Sequence, residues 1–220
     1  MAARNVAIIM DGNARWARDR DLSVLEGHRR GADALKQTVR NAVSLDVREL
    51  TVYAFSTENW TRPRAEVEGL MAMFARLIES ETPELDEQGV RMTFIGRRDE
   101  VSAELREKMA WAEAETVGNE RMKLFVAFNY GGRAEILDAA ARFEGGDEED
   151  FGRLLYAGDM TDPDLLIRTS GERRISNFLL WQCAYSELVF SETLWPDFDK
   201  AELAAALDEY AARERRFGAR

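Results

Sequence analysis

The chain has few of the residues that signal disulfide bonds, structural metal sites or membrane spans. Cys183 is the only cysteine, so an intrachain disulfide is impossible and a structural zinc site is not expected. No segment approaches the roughly 18 uninterrupted apolar residues of a membrane span. Residues 1–4 lead directly into a strand-like segment, without an apolar signal region. These absences favour a soluble cytoplasmic protein.

Positive charge is also scarce. The chain has 30 lysines and arginines against 41 aspartates and glutamates, which gives a formal net charge of -11 at pH 7. A protein that binds the phosphate backbone of a nucleic acid needs a basic face, so we expect no nucleic-acid partner. Any anionic ligand must instead be held by a local group of arginines. The position of each arginine is therefore informative.

The sequence also lacks internal repeats, proline-rich linkers and low-complexity blocks. Its 220 residues, of which 45% are hydrophobic and 32% charged, fit one globular domain over residues 1–220. No Gly-x-Gly-x-x-Gly or Walker-type run follows a predicted strand, which argues against the alternative of a nucleotide-dependent α/β enzyme.

Six short runs rich in β-branched and aromatic residues predict β-strands. They are residues 6–10, 50–55, 90–95, 124–128, 165–167 and 188–190. Several runs are apolar on both faces, as expected for strands that are covered by helices on each side. The helix-periodic stretches between them are long enough for crossover connections, which indicates a mostly parallel sheet. The sequence predicts an α/β fold: a single three-layer domain with a six-stranded sheet.

Three further stretches carry specific expectations. Apolar residues at helical spacing between 66 and 79 indicate a helix, which either packs on the sheet or forms one wall of an apolar channel. A second helix is expected to open at residues 27–31 and to end near Leu45. The acidic stretch 144–150 could suggest a metal site, but its glycines interrupt the helix that an Asp-rich metal motif needs. We therefore expect a solvated loop there.

Polar residues concentrate where the predicted strands end, which is the ligand-binding edge of open α/β sheets. The first cluster consists of Asp11, Gly12, Asn13, Ala14, Arg15 and Trp16. Asp11 could hold a hard cation such as Mg²⁺, backbone N–H groups beside Gly12 could approach an anion, and Arg15 could bind a phosphate oxygen. A strand-to-helix turn with an Asx cap explains the first three residues equally well, but it does not explain Arg15 and Trp16 together.

Three more clusters follow. His28, the only histidine, stands near a predicted helix start, where it could donate to a phosphate or simply lie at the surface. The second strand is followed by Ser56, Thr57, Glu58, Asn59, Trp60 and Arg62. The fifth is followed by Arg168, Glu172, Arg174, Ile175 and Ser176. Arginines beside a glycine-containing loop favour a diphosphate clamp over the alternative of a loop with surface ion pairs.

Six ordered motifs resemble those of the cis-prenyltransferase family. They are Asp11-Gly12-Asn13-x-Arg15-Trp16, Gly27-His28, and residues 55–60, 129–133, 168–172 and 174–178. The resemblance continues through residues 194–198 and 213–218, and it covers nearly the whole chain from Asn5 to Arg216. Six motifs of this complexity in order form a much more specific signal than any single cluster.

The resemblance implies a hydrophobic tunnel beside the sheet, a homodimer, Mg²⁺ as cofactor and two substrates, an allylic diphosphate and isopentenyl diphosphate. It implies that Asp11 is catalytic and binds Mg²⁺, with Glu187 as a further metal ligand from within the chain or from across the dimer. Asn59 would be the proton acceptor, although a neutral amide is a poor base and a phosphate oxygen is the alternative. Contact with a membrane surface would serve product release.

The same resemblance distributes the remaining site residues between the two substrates. Gly12, Asn13, Arg15 and His28 would bind the allylic diphosphate, and Arg168, Arg174 and Ser176 would bind isopentenyl diphosphate. Ser56, Thr57, Glu58, Trp60 and Arg62 would line the reacting region. Ala14, Trp16 and Ile175 would be further substrate-binding residues. The chain departs from many relatives at Val24, where they carry an arginine, and the segment between Arg142 and Asp162 is shorter.

The implied product is a long Z-polyprenyl diphosphate such as undecaprenyl diphosphate, a precursor of lipid carriers for cell-wall synthesis. Ala54 is small, so it would leave the tunnel open near its mouth, and Leu124 resembles a residue at the tunnel floor. The alternatives are a short-chain Z-prenyl diphosphate synthase and a non-catalytic accessory subunit. Such subunits lack the metal aspartate and much of the arginine clamp, whereas Asp11, Arg168 and Arg174 are present here.

Overall fold

A six-stranded parallel sheet forms the centre of the computed structural model, which describes residues 2–213. The strands are β1 Asn5–Ile9, β2 Glu49–Ser56, β3 Val90–Ile95, β4 Met122–Tyr130, β5 Leu165–Arg168 and β6 Glu187–Phe190. Their order across the sheet is β3-β4-β2-β1-β5-β6. The six predicted strands and their parallel arrangement are confirmed. The predicted motif at 213–218 lies outside the described residues, except for Arg213.

Seven α-helices and two short 3-10 helices connect the strands over this range. They are α1 Asn13–Arg18, α2 Val24–Ser44, α3 Arg64–Glu87, α4 Ala103–Glu115, α5 Gly132–Ala140, α6 Glu148–Gly152 and α7 Lys200–Ala212, with 3-10 turns at Thr57–Thr61 and Trp195–Asp197. Among residues 2–213, no helix combines the length and hydropathy needed to cross a bilayer.

The two faces of the sheet are covered differently. Alternate strand residues such as Ile8 and Val52 pack against buried side chains of α2, α3, α4 and α7. On the other face Tyr53 stacks on Phe178, with 4.4 Å between the ring centroids, because the connection between β5 and β6 folds back over the sheet. Helix α5 adds Glu135, which accepts a hydrogen bond from the Tyr130 hydroxyl. Burial raises the pKa of this carboxyl group.

Strand order reverses direction between β1 and β5. Strands β2, β4 and β3 lie to one side of β1, and β5 and β6 lie to the other. Neighbouring loops diverge at such a point and leave a crevice at the carboxyl ends of the strands. Ile9, the last residue of β1, pairs with Arg168, the last residue of β5, so the polar segments that follow both strands begin at this crevice.

Several helix boundaries differ from the sequence-based expectation. Helix α2 begins at Val24, where Ser23 caps it, so His28 lies in its second turn and not at its opening. Helix α3 extends beyond the expected 66–79 to Glu87. The acidic stretch is solvent-exposed as predicted, but it is not entirely a loop, because the Asp147 side chain caps the short helix α6.

One expected crossover helix is absent from the described chain. Residues 169–186, which connect β5 to β6, form turns without an α-helix. Ser170, Ser176, Asn177 and Leu179 have positive φ angles of 75°, 47°, 62° and 44°, which a right-handed helix cannot contain. Four residues of this kind in one connection indicate a backbone held by tertiary contacts. The free thiol of Cys183, within this connection, is half-buried, and its burial raises its pKa to about 11.

Candidate active site

An ion pair between Asp11 and Arg168 lies at the crevice between β1 and β5. Arg168 Nη2 donates to Asp11 Oδ2 at 2.8 Å. Arg168 is 4% exposed, and its Nη1 donates to the Arg174 carbonyl at 2.6 Å and to Ser176 Oγ. Its Nε has no hydrogen-bond partner among residues 2–213. A buried guanidinium with an unsatisfied N–H group is suited to donate a hydrogen bond to an oxygen of a bound anion.

The backbone around Asp11 is fixed by buried groups. Thr169 Oγ1 accepts the Asp11 N–H at 2.9 Å and donates to the Asp11 carbonyl at 2.7 Å. Trp195 N also donates to that carbonyl, at 3.0 Å. Gly12 follows with a φ angle of 111°, and a Cβ atom there would lie 2.9 Å from Leu194 Cδ2, so only glycine fits. The Asp11 side chain is therefore held in place while 36% of it stays exposed to the cavity.

Glu172 joins two arginines that are far apart in the sequence. Arg15 donates to Glu172 Oε1 at 3.2 Å and to the Ser170 carbonyl at 2.9 Å. Arg174 donates to the other oxygen, Glu172 Oε2, and this hydrogen bond is the main cause of the lowered pKa of Glu172. Both arginine side chains are substantially exposed. A bound anion could therefore replace the carboxylate as their partner without the burial of a new charge.

His28 lies between the first cluster and α3. Its Nδ1 is 3.4 Å from Asn13 Nδ2 and its Nε2 is 3.4 Å from Glu66 Oε1, which also accepts from Arg62 at 3.1 Å. Burial lowers the pKa of His28, and the charge of Arg62 lowers it further, against the opposing effect of Glu66. The imidazole is thus neutral at pH 7, with Nδ1 placed to accept and Nε2 to donate.

The residues after β2 form a 3-10 turn that is held by its own side chains. Asn59 Oδ1 accepts the Ser56 N–H at 3.1 Å. Trp60 was predicted to line the reacting region, but it packs against Phe55 with 4.9 Å between ring centroids and donates to Asn129 Oδ1 at 2.8 Å. Its contacts position the turn, and Trp60 does not line the main cavity described below.

Other predicted site residues also point away from the cavity. Trp16 is buried between α1 and the turn at 195–197, where its Nε1 donates to Asp197 at 2.7 Å. Ile175 packs against the core on the opposite face of the sheet. Both side chains pack within the fold, and neither lines the main cavity described below. Thr57 donates to Glu58, and Ala14 is a half-buried residue of α1.

The main cavity has a volume of about 540 Å³ and lies between the carboxyl edge of the sheet, α2 and α3. Of the predicted site residues, those that line it are Asp11, Asn13, His28, Ser56, Glu58, Asn59, Arg62, Arg168 and Ser176. Away from these polar groups the lining becomes apolar, with Leu35, Leu70, Met73, Phe74 and Leu77. The sequence left open whether α3 packs on the sheet or forms a wall of an apolar channel. In the structure it does both.

A second, smaller space lies further along the same helices. This inner compartment has a volume of about 60 Å³ and shares Leu35, Ala54, Phe74 and Leu77 with the main cavity. Leu124, Val126 and Phe128 of β4 line its other side. Ala54 thus stands between the two spaces and Leu124 stands beyond it. The arrangement is polar at one end and hydrocarbon-like along its length.

Glu187 is not brought to this cluster within one chain. It begins β6 and pairs in register with Leu165, which pairs with Val6. Asp11 lies five residues beyond Val6, about 16 Å further along the strand direction at about 3.3 Å per residue. Glu187 instead forms an ion pair with Arg213 at 2.6 Å. Glu187 therefore cannot be a metal ligand beside Asp11 of its own chain. That it binds the metal from a second subunit stays a prediction.

The donor set at Asp11 fits a magnesium ion that is shared with a substrate. Residues 2–213 contain no group of three or more histidine, cysteine or carboxylate side chains that could hold a metal ion alone. Asp11 nevertheless presents a half-exposed carboxylate whose Oδ1 makes no hydrogen bond within the described chain. Mg²⁺ is commonly held by one or two carboxylates together with substrate phosphates and water.

Three residues of the site were not identified from the sequence. Trp195 is 1% exposed, lines the main cavity and donates to the Gly31 carbonyl of α2 at 2.8 Å. Asn177 donates to Glu58 at 2.9 Å and so joins the loop after β5 to the turn after β2. Glu66 joins His28 and Arg62. Its opposite charge four residues after Arg62 was the available signal.

The fold and the cavity define an α/β protein whose cavity is polar at one end and apolar along the rest, which suits a ligand with an anionic head and an apolar body. The family model described as putative undecaprenyl diphosphate synthase, a prenyltransferase family, matches residues 9–218. That match covers most of the chain. This protein therefore belongs to the undecaprenyl diphosphate synthase family of prenyltransferases.

Curated relatives agree over nearly the full length. An isoprenyl transferase of Caulobacter vibrioides is 50% identical over 97% of this chain and 87% of the relative. An isoprenyl transferase of Thermotoga maritima is 48% identical over 98% and 96%. A relative from Xanthomonas axonopodis pv. citri, named ditrans,polycis-undecaprenyl-diphosphate synthase ((2E,6E)-farnesyl-diphosphate specific), is 47% identical over 98% and 88%.

Solved structures show the same fold. Lavandulyl diphosphate synthase from Lavandula x intermedia, in complex with dimethylallyl diphosphate, matches with a TM-score of 0.95 and 35% identity over 99% of this chain and 98% of that one. A probable undecaprenyl diphosphate synthase from Campylobacter jejuni matches with a TM-score of 0.85 and 31% identity over 99% of both chains.

The ionisation of His28 provides a direct test of the site geometry. Because it is the only histidine, a tag-free protein gives one imidazole titration by NMR, and its pKa should lie below the usual 6.5. Glu66→Gln should lower the pKa further by the removal of a stabilising anion, whereas Arg62→Met should raise it by the removal of a nearby cation. A pKa above 6.5, or shifts in the opposite directions, would contradict the described contacts.

Proposed function

We propose that this protein is a magnesium-dependent cis-prenyltransferase. It would add isopentenyl diphosphate units to an allylic diphosphate, farnesyl or geranyl diphosphate, and give a long-chain Z-polyprenyl diphosphate such as undecaprenyl diphosphate. The observation that carries the proposal is a cavity whose polar end contains Asp11 and Arg168 and whose remaining lining is apolar. The farnesyl-diphosphate specificity in the name of the Xanthomonas relative supports farnesyl diphosphate as the primer.

The allylic diphosphate is assigned to the groups around α1. Asn13 lines the cavity, and its buried Oδ1 has no partner among residues 2–213, although its amide faces His28. The neutral His28 imidazole faces Asn13, and the half-exposed Arg15 guanidinium, also of α1, reaches Ser170 and Glu172. Together with the backbone N–H groups that follow Gly12, they would bind the leaving diphosphate. The apolar chain would then extend towards Ala54 and Phe74.

Isopentenyl diphosphate is assigned to the loop after β5. Arg168, Arg174 and Ser176 are joined there by hydrogen bonds, and Arg168 Nε and Ser170 Oγ are buried without partners within the described chain. A diphosphate at this position would satisfy both atoms and would neutralise a buried cation. Two adjacent anion sites would hold the reacting carbons together, which removes much of the entropic barrier to their reaction.

The chemical step separates charge, and the site would stabilise that separation. As the allylic C–O bond breaks, negative charge grows on the departing diphosphate and positive charge grows on the allylic carbon. The double bond of isopentenyl diphosphate attacks that carbon, and loss of a proton restores a double bond. Mg²⁺ bound at Asp11, with Glu187 of the partner subunit as the second proposed ligand, would supply charge neutralisation of the leaving group.

The proton acceptor that we favour is a phosphate oxygen. Asn59 Oδ1 is already an acceptor for the Ser56 N–H, and a neutral amide is a weak base. Its observed contact holds the turn that carries Glu58 and Arg62 beside the cavity. We therefore propose that Asn59 positions this turn, whereas the pyrophosphate released in the same step takes the proton.

A homodimer and a transient membrane contact are part of the same proposal. Glu187 can complete a site at Asp11 only from a second copy of the chain, because its own Asp11 lies beyond reach. Leu137 and Tyr185, which are 67% and 75% exposed, place apolar surface on the side of the sheet that has the thinner cover. A long polyprenyl product would leave a cytoplasmic enzyme at a membrane surface.

Replacement of Asp11 tests the metal and leaving-group role. Asp11→Ala should lower kcat by at least about 100-fold, since it removes the carboxylate at the reacting centre. Because Asp11 also neutralises the buried Arg168, the variant should be less stable than the wild type, so circular dichroism must first show that it is folded. Incorporation of labelled isopentenyl diphosphate onto farnesyl diphosphate measures turnover, and Asp33→Ala, an exposed acid on α2, is the matched control. Near-normal activity of folded Asp11→Ala at saturating Mg²⁺ would contradict the role.

Replacement of Arg174 tests the second substrate site. Arg174→Ala should raise the KM for isopentenyl diphosphate about tenfold or more, which corresponds to at least about 1.4 kcal/mol of lost binding. Arg168→Ala should act in the same direction and should also destabilise the loop, since Arg168 is buried. Arg64→Ala, at an exposed ion pair on α3, is the control. An increase confined to the KM of the allylic substrate would show that the two diphosphate sites are reversed.

Product length tests the assignment of the apolar spaces. Ala54→Leu should shorten the product, because a larger side chain would obstruct the passage between the main cavity and the inner compartment. Leu124→Ala should lengthen it by the removal of side-chain volume from the far wall. Chromatography of the dephosphorylated products measures both effects. A wild-type product that stops after one condensation would favour the short-chain alternative, and lengths unchanged in both variants would contradict the tunnel assignment.

A further inference from the structure

The inner compartment is too small for the product that the proposed function requires. Its volume of about 60 Å³ is roughly a ninth of the 540 Å³ of the main cavity. Interiors are close-packed, so a growing polyprenyl chain can enter only if the elements around the compartment move apart. The sheet is fixed by its hydrogen bonds, whereas α2 and α3 contact each other through side chains. The seam between these two helices is therefore where space can be made.

Two ion pairs close this seam at the inner compartment. Lys36 Nζ on α2 lies 2.6 Å from Glu81 Oε1 on α3, and Arg40 Nε donates to Glu84 Oε1 at 2.7 Å. All four side chains line the compartment. Apart from these four and Gln88, the residues that line it are apolar. The Lys36 and Glu81 side chains are only 30% and 17% exposed, so solvent screens their attraction less than that of a surface pair.

Helix α3 is locally weakened between the two acidic members of the seam. Pro83 lies inside the helix, between Glu81 and Glu84. Proline has no N–H group, and its ring crowds the carbonyl of the preceding turn, so one helical hydrogen bond is lost there. The residues after Pro83 can therefore move with less disruption of the rest of the helix.

We propose that the pairs Lys36–Glu81 and Arg40–Glu84 form a clasp that limits product length. The inference rests on the proposed polyprenyl product. While the clasp is closed, the inner compartment ends the apolar passage. Its opening at Pro83 lets the chain extend between α2 and α3, so the strength of the ion pairs sets how many condensations occur before release. Lys36 and Glu81 are then specificity-determining residues that contact neither diphosphate group.

The test uses charge reversal and its repair in the full-length protein. Lys36→Glu places two carboxylates at the seam and should shift the product distribution by at least one isoprene unit towards longer chains. The double variant Lys36→Glu with Glu81→Lys restores opposite charges and should return the wild-type distribution. Lys36→Met, a milder change, should give an intermediate shift and serves if the reversal fails to fold. Farnesyl diphosphate, labelled isopentenyl diphosphate and Mg²⁺ are the reactants, with chromatography of the products.

Lys108→Met is the matched control. Lys108 on α4 forms an ion pair at 2.6 Å with Glu79 on α3, the helix that also carries Glu81, but neither residue lines the inner compartment. Its product distribution should equal that of the wild type. Identical distributions in the wild type, Lys36→Met and Lys36→Glu, or a folded double variant that resembles the single reversal, would overturn the clasp.

Amide hydrogen exchange over residues 81–87 provides a readout that does not depend on activity. Exchange should accelerate in Lys36→Glu and return to the wild-type rate in the double variant. A wild-type protein that forms no condensed product would refute the proposed function, and exchange would then still decide whether the ion pairs hold the seam. Unchanged exchange in both variants would overturn the clasp on its own.

Discussion

The arrangement of the site depends on the neutralisation of one buried arginine. Arg168 ends β5 at the point where the strand order reverses, and burial of its charge requires an anion close by. Asp11 supplies that anion from the end of β1, while the Arg174 carbonyl and Ser176 hold the other side of the guanidinium. One side chain therefore ties two strand ends and the loop over the opposite face into a single unit.

The unequal cover of the two sheet faces explains why the cavity lies where it does. On the face of α5, the connection between β5 and β6 packs directly on Tyr53, and little space remains. On the other face, α2 and α3 lie across the sheet and leave an apolar gap beside Ala54. Arg62 and Arg168 line the polar end of the cavity, so an anion could bind there although the protein as a whole is acidic. Asp11 and Glu58 line the same end, and Glu172, beside it, occupies the two arginines that a ligand would engage.

The fold could be predicted largely from local sequence because the strands are short apolar runs between helix-periodic stretches. The residues that line the cavity from the ends of β1, β2 and β5 were found for the same reason, since parallel strands bring their carboxyl ends to one edge. Tertiary packing decided the rest. Local patterns could not show that the Trp16 and Trp60 rings pack and donate hydrogen bonds within the fold, or that Trp195 donates to the Gly31 carbonyl of α2. Nor could they show that the loop after β5 contains left-handed residues in place of a helix.

The division of α3 into segments has a consequence for the evolution of this fold. Its first turn carries Arg62-bound Glu66 at the polar end, its middle carries Phe74 and Leu77, and its last turns carry Glu81 and Glu84. Head-group chemistry and hydrocarbon capacity are thus encoded at separate places along one helix. Under the proposed function, substitutions in the later turns of α3 would change the length of the polyprenyl product. The residues that carry out the condensation would stay the same. Lineages could in this way acquire carriers of different lengths by drift at a few positions, without passing through an inactive ancestor.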